Sequence, residues 1–521
     1  MKGQSCRLLA AVLIICSAVI AATPSNGGSF SLMWTQEASV ADIRAALAAR
    51  ELTCRQLVQM YLDRIAAYDK QGPALNAIIT INPSALATAD ALDAKIAQSG
   101  FAGPLHCVPL IVKDNFNTAD MPTTAGSLSL KGSVPPSDAF QVRKLREAGA
   151  LVLAKSNMAE FAWSPFETVS SILPGYTRNP YALDRVPAGS SGGTAAAIAA
   201  DFGAVGLGTD TGNSIRGPSS HTSLVGIRST MGLTSRDGIV PLFLNRDIGG
   251  PMVRTVADAV AVFDVIAGYD PADPVTAAAQ GKRPDSYLKF LDKDGLRGAR
   301  IGVVRQLFMG PDTDPEILRL LEQALADMRG QGAEIVEGVN IPELDLIPPA
   351  RLFCNRFKYD IEAYLASLGP QAPVKNLTEI LASQKFHPSI EKRMLDAQAE
   401  PPPERNPSCV TAEESGHRLA RAVLESMDAA RLDALVYPSW NNPPRLIGDL
   451  NSPHGNNSNR IAPPTGFPAM TVPMGFVHGT LPAGLQILGR PWSEPTLIKI
   501  GYAYEQATRH RRPPASTPPL P

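Results

Sequence analysis

Three short segments of this chain hold residue types that can do nucleophilic chemistry. Ser214 closes Thr209-Asp210-Thr211-Gly212-Asn213-Ser214, a polar turn directly after an apolar run. Such a turn can aim successive backbone N–H groups at one point, which suits negative charge developing on a carbonyl oxygen. A serine hydroxyl is a weak nucleophile by itself and needs a base. The second segment is Gly189-Ser190-Ser191-Gly192-Gly193. A loop like this at a helix start fits a phosphate cradle, but no lysine follows in the Walker spacing. It also fits a Gly-x-Ser-x-Gly elbow centred on Ser191, which needs a strand just before it. The preceding residues 177–188 are polar and broken by prolines. The third segment ends on Lys113, at the close of an apolar run and before Asp114 and Asn115. A lysine leaving a buried strand is costly unless it is paired or uncharged. Taken singly, each has an ordinary explanation: a turn serine, a flexible loop, a surface lysine.

Other chemistries find less support. The seven histidines show no H-E-x-x-H or paired spacing, and no C-x-x-C occurs, so neither a metal site nor a dithiol site is indicated. Nothing in the spacing of His221 or His454 points to a Ser-His-Asp triad. Ser286 and Lys289 form an S-x-x-K match in a polar stretch without its S-D-N or K-T-G partners, and it is set aside.

The elements that must position these residues read as alternating helix and strand. Thr53 and Gln56 make a capping box before a helix, and residues 85–96 read as another. Residues 106–112 are a β-branched run, 140–148 an amphipathic helix and 150–154 a buried strand. A small-residue helix at 194–200 and a strand at 204–208 lie between the Gly/Ser loop and the Ser214 turn. Strands follow at 300–304, 333–336 and 433–437, with a pair at 469–475 and 483–488. Asp314-Pro315 caps a helix, and 496–508 is the closing one. Residues 398–410 and 438–468 read as long surface loops, and the Pro-rich end, 511–521, as a disordered tail. This alternation predicts an α/β chain with a mostly parallel sheet covered by helices.

Bulk properties bound the partners. A net charge of -1, no long Lys/Arg run and 6% aromatics leave no electrostatic footprint for nucleic acid. At the N-terminus, Lys2 and Arg7 precede the apolar residues 8–22, which are short for a bilayer span and end in small residues. This predicts a signal peptide over 1–22, an exported mature chain from 23 to 521, and no stable membrane insertion after cleavage. Cys54, Cys107, Cys354 and Cys409 remain in that chain, and a pair such as Cys354–Cys409 can form in an oxidising compartment.

In combination, the segments resemble the amidase signature family. Residues 103–115 (GPLHCVPLIVKDN) are similar to its lysine segment, 188–200 (AGSSGGTAAAIAA) to its Gly/Ser segment and 207–220 (LGTDTGNSIRGPSS) to its nucleophile segment. Residues 231–241 and 465–476 resemble later blocks, so the resemblance spans roughly 36–510. It implies a single-domain α/β/α sandwich with a large mixed, twisted sheet covered by helices on both faces. It implies a Ser-Ser-Lys triad in which uncharged Lys113 is the base, Ser190, in a cis peptide, relays the proton, and Ser214 attacks the carbonyl. The backbone N–H groups of Thr211, Gly212, Asn213 and Ser214 are then the oxyanion hole, with Ser191, Asp210 and Arg216 in support. The implied activity is hydrolysis of a carboxamide C–N bond in a small molecule through a seryl acyl-enzyme, without a cofactor. Esters or carbamates are side substrates to consider.

This sequence departs from the family pattern at Asn213 and at Cys107, which both stand where a glycine is usual. For Asn213 a positive φ or a narrower pocket is expected, and for Cys107 a packing effect only. Phe161, Trp163, Phe166 and Tyr176 precede the Gly/Ser loop and are candidates for an apolar acyl or aryl pocket. Three rival readings predict different outcomes. A non-catalytic exported solute-binding protein predicts no turnover despite filled triad positions. The amidotransferase subunit of tRNA maturation needs a cytosolic complex. A Ser-His-Asp esterase predicts loss of activity on changing a histidine and none on changing Lys113.

Overall fold

Lys113 is the last residue of a strand buried along its whole length, in the middle of a large sheet. The computed structural model describes Met1 and residues 36–520. Apart from Met1, the predicted signal peptide lies outside the described residues. The strands are β1 (Ile78–Ile81), β2 (Pro109–Lys113), β3 (Leu151–Ser156), β4 (Val205–Asp210), β5 (Val225–Arg228) and β6 (Ile248–Val253). They continue with β7 (Arg300–Val303), β8 (Glu334–Val336), β9 (Ala434–Pro438), β10 (Ala469–Val477) and β11 (Leu481–Leu488). All eleven form one sheet in the order β1-β3-β2-β4-β6-β5-β10-β11-β9-β7-β8. β2 runs parallel to β3 and β4, and β7 parallel to β8 and β9, while β6, β10 and β11 pair antiparallel. This is the single-domain mixed α/β sheet covered by helices that the resemblance implies, and not the mostly parallel sheet that the alternation predicts, because hairpin and returning strands add antiparallel pairings at β1–β3, β4–β6–β5–β10 and β10–β11–β9.

Local signals explain the element starts. Thr53 accepts from the Gln56 N–H at 3.1 Å while its own N–H donates to Gln56, opening helix Cys54–Tyr68. Asp314 caps Pro315–Gly330. The predicted pair near the C-terminus is the antiparallel β10–β11 ladder.

The short helix Gly192–Ala199 shows why its residues must be small. It is buried on every side and packs against β2 and β4. A Cβ on Gly193 would collide with the Asn157 carbonyl oxygen, and one on Gly208 with Met252 Sδ. Those approaches bring the Gly/Ser loop at the helix start alongside the C-terminal ends of β2 and β4.

Four further expectations need correction. The stretch 398–410 is not one loop, because helix Pro407–Ala429 begins inside it, with Asn406 as its cap. The C-terminal segment is docked rather than disordered. Arg511 clamps Glu37 through two bonds of 2.6 and 2.7 Å, and Arg64 donates to the carbonyls of Thr517 and Pro518. Proline content signalled irregular backbone, and buried arginines supply it with partners. Cys107 does more than pack: it forms a disulfide with Cys54, at a Cα separation of 5.7 Å, and takes φ +62°. That left-handed conformation suits a glycine. Asn213 is not among the positive-φ residues. A second disulfide joins Cys354 to Cys409.

Beyond the main core lies a second apolar cluster. It unites Met158, Phe161 and Trp163 with Leu242, Phe243, Phe357, Ile361 and Met394. Helices Phe357–Ser367, Leu377–Ser383 and Glu391–Ala399 supply its far side. They stand over the sheet edge where β2 and β4 end.

Candidate active site

Lys113 Nζ lies 2.8 Å from Ser190 Oγ and 2.6 Å from Thr209 Oγ1. All three residues are buried. Burial pushes the Lys113 amine down to about 7, although Asp247 and Asp210 pull it the other way. An ammonium out of water with no carboxylate in contact is costly, so the amine gives up its proton near neutrality. Thr209, which also accepts from Asn115 Nδ2 at 3.1 Å, is a contact the sequence reading missed. The Gly189–Ser190 peptide is cis. Ser191, the neighbouring serine, bonds both the carbonyl and the N–H of Thr209 and braces the loop against β4.

The turn after β4 is held from below by one carboxylate. Asp210 accepts from the Ile215 N–H at 3.2 Å and the Arg216 N–H at 3.4 Å, and it pairs with the guanidiniums of Arg216 and Arg228, both at 3.1 Å. Burial raises its carboxyl, but the two arginines outweigh burial and hold it below the usual carboxylate range. Arg216 also donates to the Gly212 carbonyl at 2.9 Å, drawing that oxygen away from the cavity. Among the described residues, the N–H groups of Thr211, Gly212, Asn213 and Ser214 have no backbone partner. Four consecutive free donors beside a serine hydroxyl form a site for an oxyanion. Asn213 Nδ2 reaches the Gly189 carbonyl at 3.4 Å, so it ties the two loops together rather than blocking the cavity.

Asp210→Asn leaves two buried guanidiniums with a neutral partner. The expected loss is about 3–5 kcal/mol of folding stability, measured by chemical denaturation. An unchanged midpoint would show that the turn does not depend on this carboxylate.

Ser214 opens onto a cavity of about 370 Å³. Its walls include Thr211, Gly212, Asn213, Trp163, Phe166 and Phe243. Of the four predicted pocket aromatics, Trp163 and Phe166 line it. Phe161 is buried behind it against Phe357, and Tyr176 is not part of the wall. Phe353, Arg246 and Arg393 line it without having been anticipated. Their segments lie far along the chain, and no local pattern marks them. His221 is buried with Nε2 at 3.3 Å from the Asn442 carbonyl, and burial lowers it to about 3. His454 packs against Phe166 with the rings tilted at 46°. Neither forms a hydrogen bond to Ser214 among the described residues. Hydrogen bonds run from Lys113 to Ser190 and Thr209, and a Ser190–Ser214 bond is not among those formed. Catalytic contacts often close only in the complex with substrate.

Known proteins match the chain in sequence and fold. The Amidase family model covers residues 56–498. A peptide amidase from Stenotrophomonas maltophilia superposes with a TM-score of 0.85 at 39% identity, over 93% of this chain and 99% of that one. A probable amidase of Arabidopsis thaliana is 35% identical over 96% of this chain and 97% of its own length. A glutamyl-tRNA(Gln) amidotransferase chain of Acinetobacter baumannii is 34% identical over 90% of this chain and 96% of its own length. This chain belongs to the amidase family, and it is a hydrolase acting on amide C–N bonds.

Proposed function

We propose that this enzyme hydrolyses a carboxamide of a small molecule through an acyl-enzyme on Ser214, with Lys113 as base and Ser190 as relay. The observation that carries the reading is the buried Lys113, its amine pushed down to about 7 by burial, held 2.8 Å from Ser190. In the first step Ser214 Oγ bonds to the amide carbonyl carbon. Its proton moves to Ser190 Oγ as the Ser190 proton moves to Lys113 Nζ. The oxyanion rests against the N–H groups of Thr211 to Ser214. Collapse breaks the C–N bond, and the proton returns along the same path to the departing nitrogen. Water then attacks the ester, loses a proton to the relay and releases the acid, regenerating Ser214. Two serines and a lysine replace the hydroxyl–imidazole pair of other serine hydrolases. An acylated enzyme predicts a burst of 4-nitroaniline from an activated anilide, equal to the enzyme concentration, together with a transient mass increase of one acyl group. Steady 4-nitroaniline release without such an adduct would contradict the covalent route.

The cavity favours an apolar acyl or aryl group. Trp163 packs edge-to-face on Phe243, with ring centroids 5.4 Å apart. Trp163→Ala is expected to lower kcat/KM for an aryl amide about tenfold more than for acetamide. Equal losses on both would remove Trp163 from the specificity surface. Two disulfides support export, since such bonds persist in oxidising compartments. If the mature N-terminus found in a periplasmic fraction lies near residue 22, export is supported, while an intact Met1 in cytosol would count against it.

A further inference from the structure

Two arginines, Arg246 and Arg393, and one carboxylate, Asp396, line the cavity in front of Ser214. Arg246 is half-buried in the wall, and its guanidinium donates to the Leu352 carbonyl. Burial lowers it to about 10, so it remains charged at neutral pH, and the other charge acting on it is a like one, Arg228. Arg393 stands at the rim and donates to the Trp163 carbonyl. Glu167 faces Arg393 and Arg445 and acts on both, whereas the carboxylates nearer Arg246 are engaged elsewhere. Asp396 pairs with Lys392 at 2.9 Å, and Asp360 pairs with Arg356 at 2.7 Å. Asp247 accepts from Thr211 and from the N–H groups of Leu242 and Phe243. Neither Arg246 nor Arg393 takes part in an ion pair among the described residues. Trp163, 7% exposed, contributes ring surface to the same wall, while its Nε1–H is buried away from the open space.

A cation partly removed from water without a counter-ion lowers stability. At Arg246 that deficit is relieved by a ligand group with two or more acceptor oxygens and negative charge. Guanidiniums bind carboxylates through paired, parallel hydrogen bonds. We propose that the substrate carries a carboxylate in addition to its scissile amide, and that Arg246, with Arg393 beside it, holds that carboxylate. The assignment rests on the cavity in front of Ser214 being the substrate site. It describes the molecule as an apolar or aryl amide with an anionic end, such as a dicarboxylic acid monoamide or an N-acyl amino acid.

The test separates binding from turnover. Ser214→Ala protein is titrated calorimetrically with N-phenylglutaramate and with N-phenylpentanamide, which has a methyl group in place of the carboxylate. The anionic anilide is expected to bind at least about tenfold more tightly, as hydrogen bonds to charged groups imply. Adding Arg246→Gln should abolish that preference while leaving affinity for the neutral anilide unchanged, and Arg393→Gln should reduce it in part. Equal binding of the two anilides overturns the proposal. So does a preference that survives both arginine substitutions, or no heat from the anionic anilide up to millimolar concentration. Turnover of the same pair by the unaltered enzyme is read separately. Failure of turnover with the binding preference intact counts against the Ser214 mechanism and not against the carboxylate site.

Discussion

Ser214→Ala is expected to lower kcat/KM by at least about 10⁴-fold on any amide the enzyme accepts, with KM nearly unchanged. In the proposed mechanism the Ser214 hydroxyl forms the new bond, and alanine offers no atom in its place. The free N–H groups of Thr211, Gly212 and Asn213 remain, so residual catalysis by charge stabilisation survives, as when other serine hydrolases lose a nucleophile. Folding should be little affected, because Asp210 and Arg216, not Ser214, hold the turn. Initial rates on a chromogenic anilide, with thermal melting as the control, check this. A loss of less than tenfold with an intact fold would move the nucleophile elsewhere, and Ser191 is the next serine to test.

The second large effect belongs to Lys113. Lys113→Met keeps the volume and removes the base, and it is expected to reduce kcat by about 10³-fold. The pH profile carries the more specific signature. With the amine near 7, the proposed mechanism requires the enzyme to be inactive where Lys113 holds its proton and active where it does not. Activity therefore rises as pH increases through about 7. In Lys113→Met that limb should vanish and leave a low, flat rate. Asp247 and Asp210 face the amine and stabilise its charged form. Removing the Asp247 charge with Asp247→Asn should accordingly shift the limb to lower pH. Asp247 is itself raised to about 6 by burial, so a limb that persists unchanged in Lys113→Met would assign the titration to Asp247 and not to the lysine.

How much of this was legible in the sequence depended on how local the determinant was. The apolar run ending at Lys113, the small-residue helix after Ser190–Ser191 and the turn ending at Ser214 are each contiguous, and each formed close to its expected place. β5 and β6 were not anticipated. β6 is rich in glycine, and a Cβ on Gly249 or Gly250 would collide with Gln141 or with the Ile227 carbonyl, so its small residues answer to close packing and mask a strand pattern. Thr209 was within the quoted motif, but nothing in the sequence says that its hydroxyl faces Lys113. The distal wall was invisible for another reason. Phe353 and Arg393 reach the cavity only because the 357–399 helices pack on Phe161 and Trp163. Cys107 looked like a packing substitution because its partner, Cys54, lies 53 residues away.

The most direct measurement is the intact mass of the purified mature protein after treatment with a fluorophosphonate, alongside Ser214→Ala and Lys113→Met. The account predicts one adduct on the unaltered protein, none on Ser214→Ala, and greatly slowed labelling of Lys113→Met. An adduct that persists in Ser214→Ala, or labelling of Lys113→Met at the unaltered rate, would contradict it.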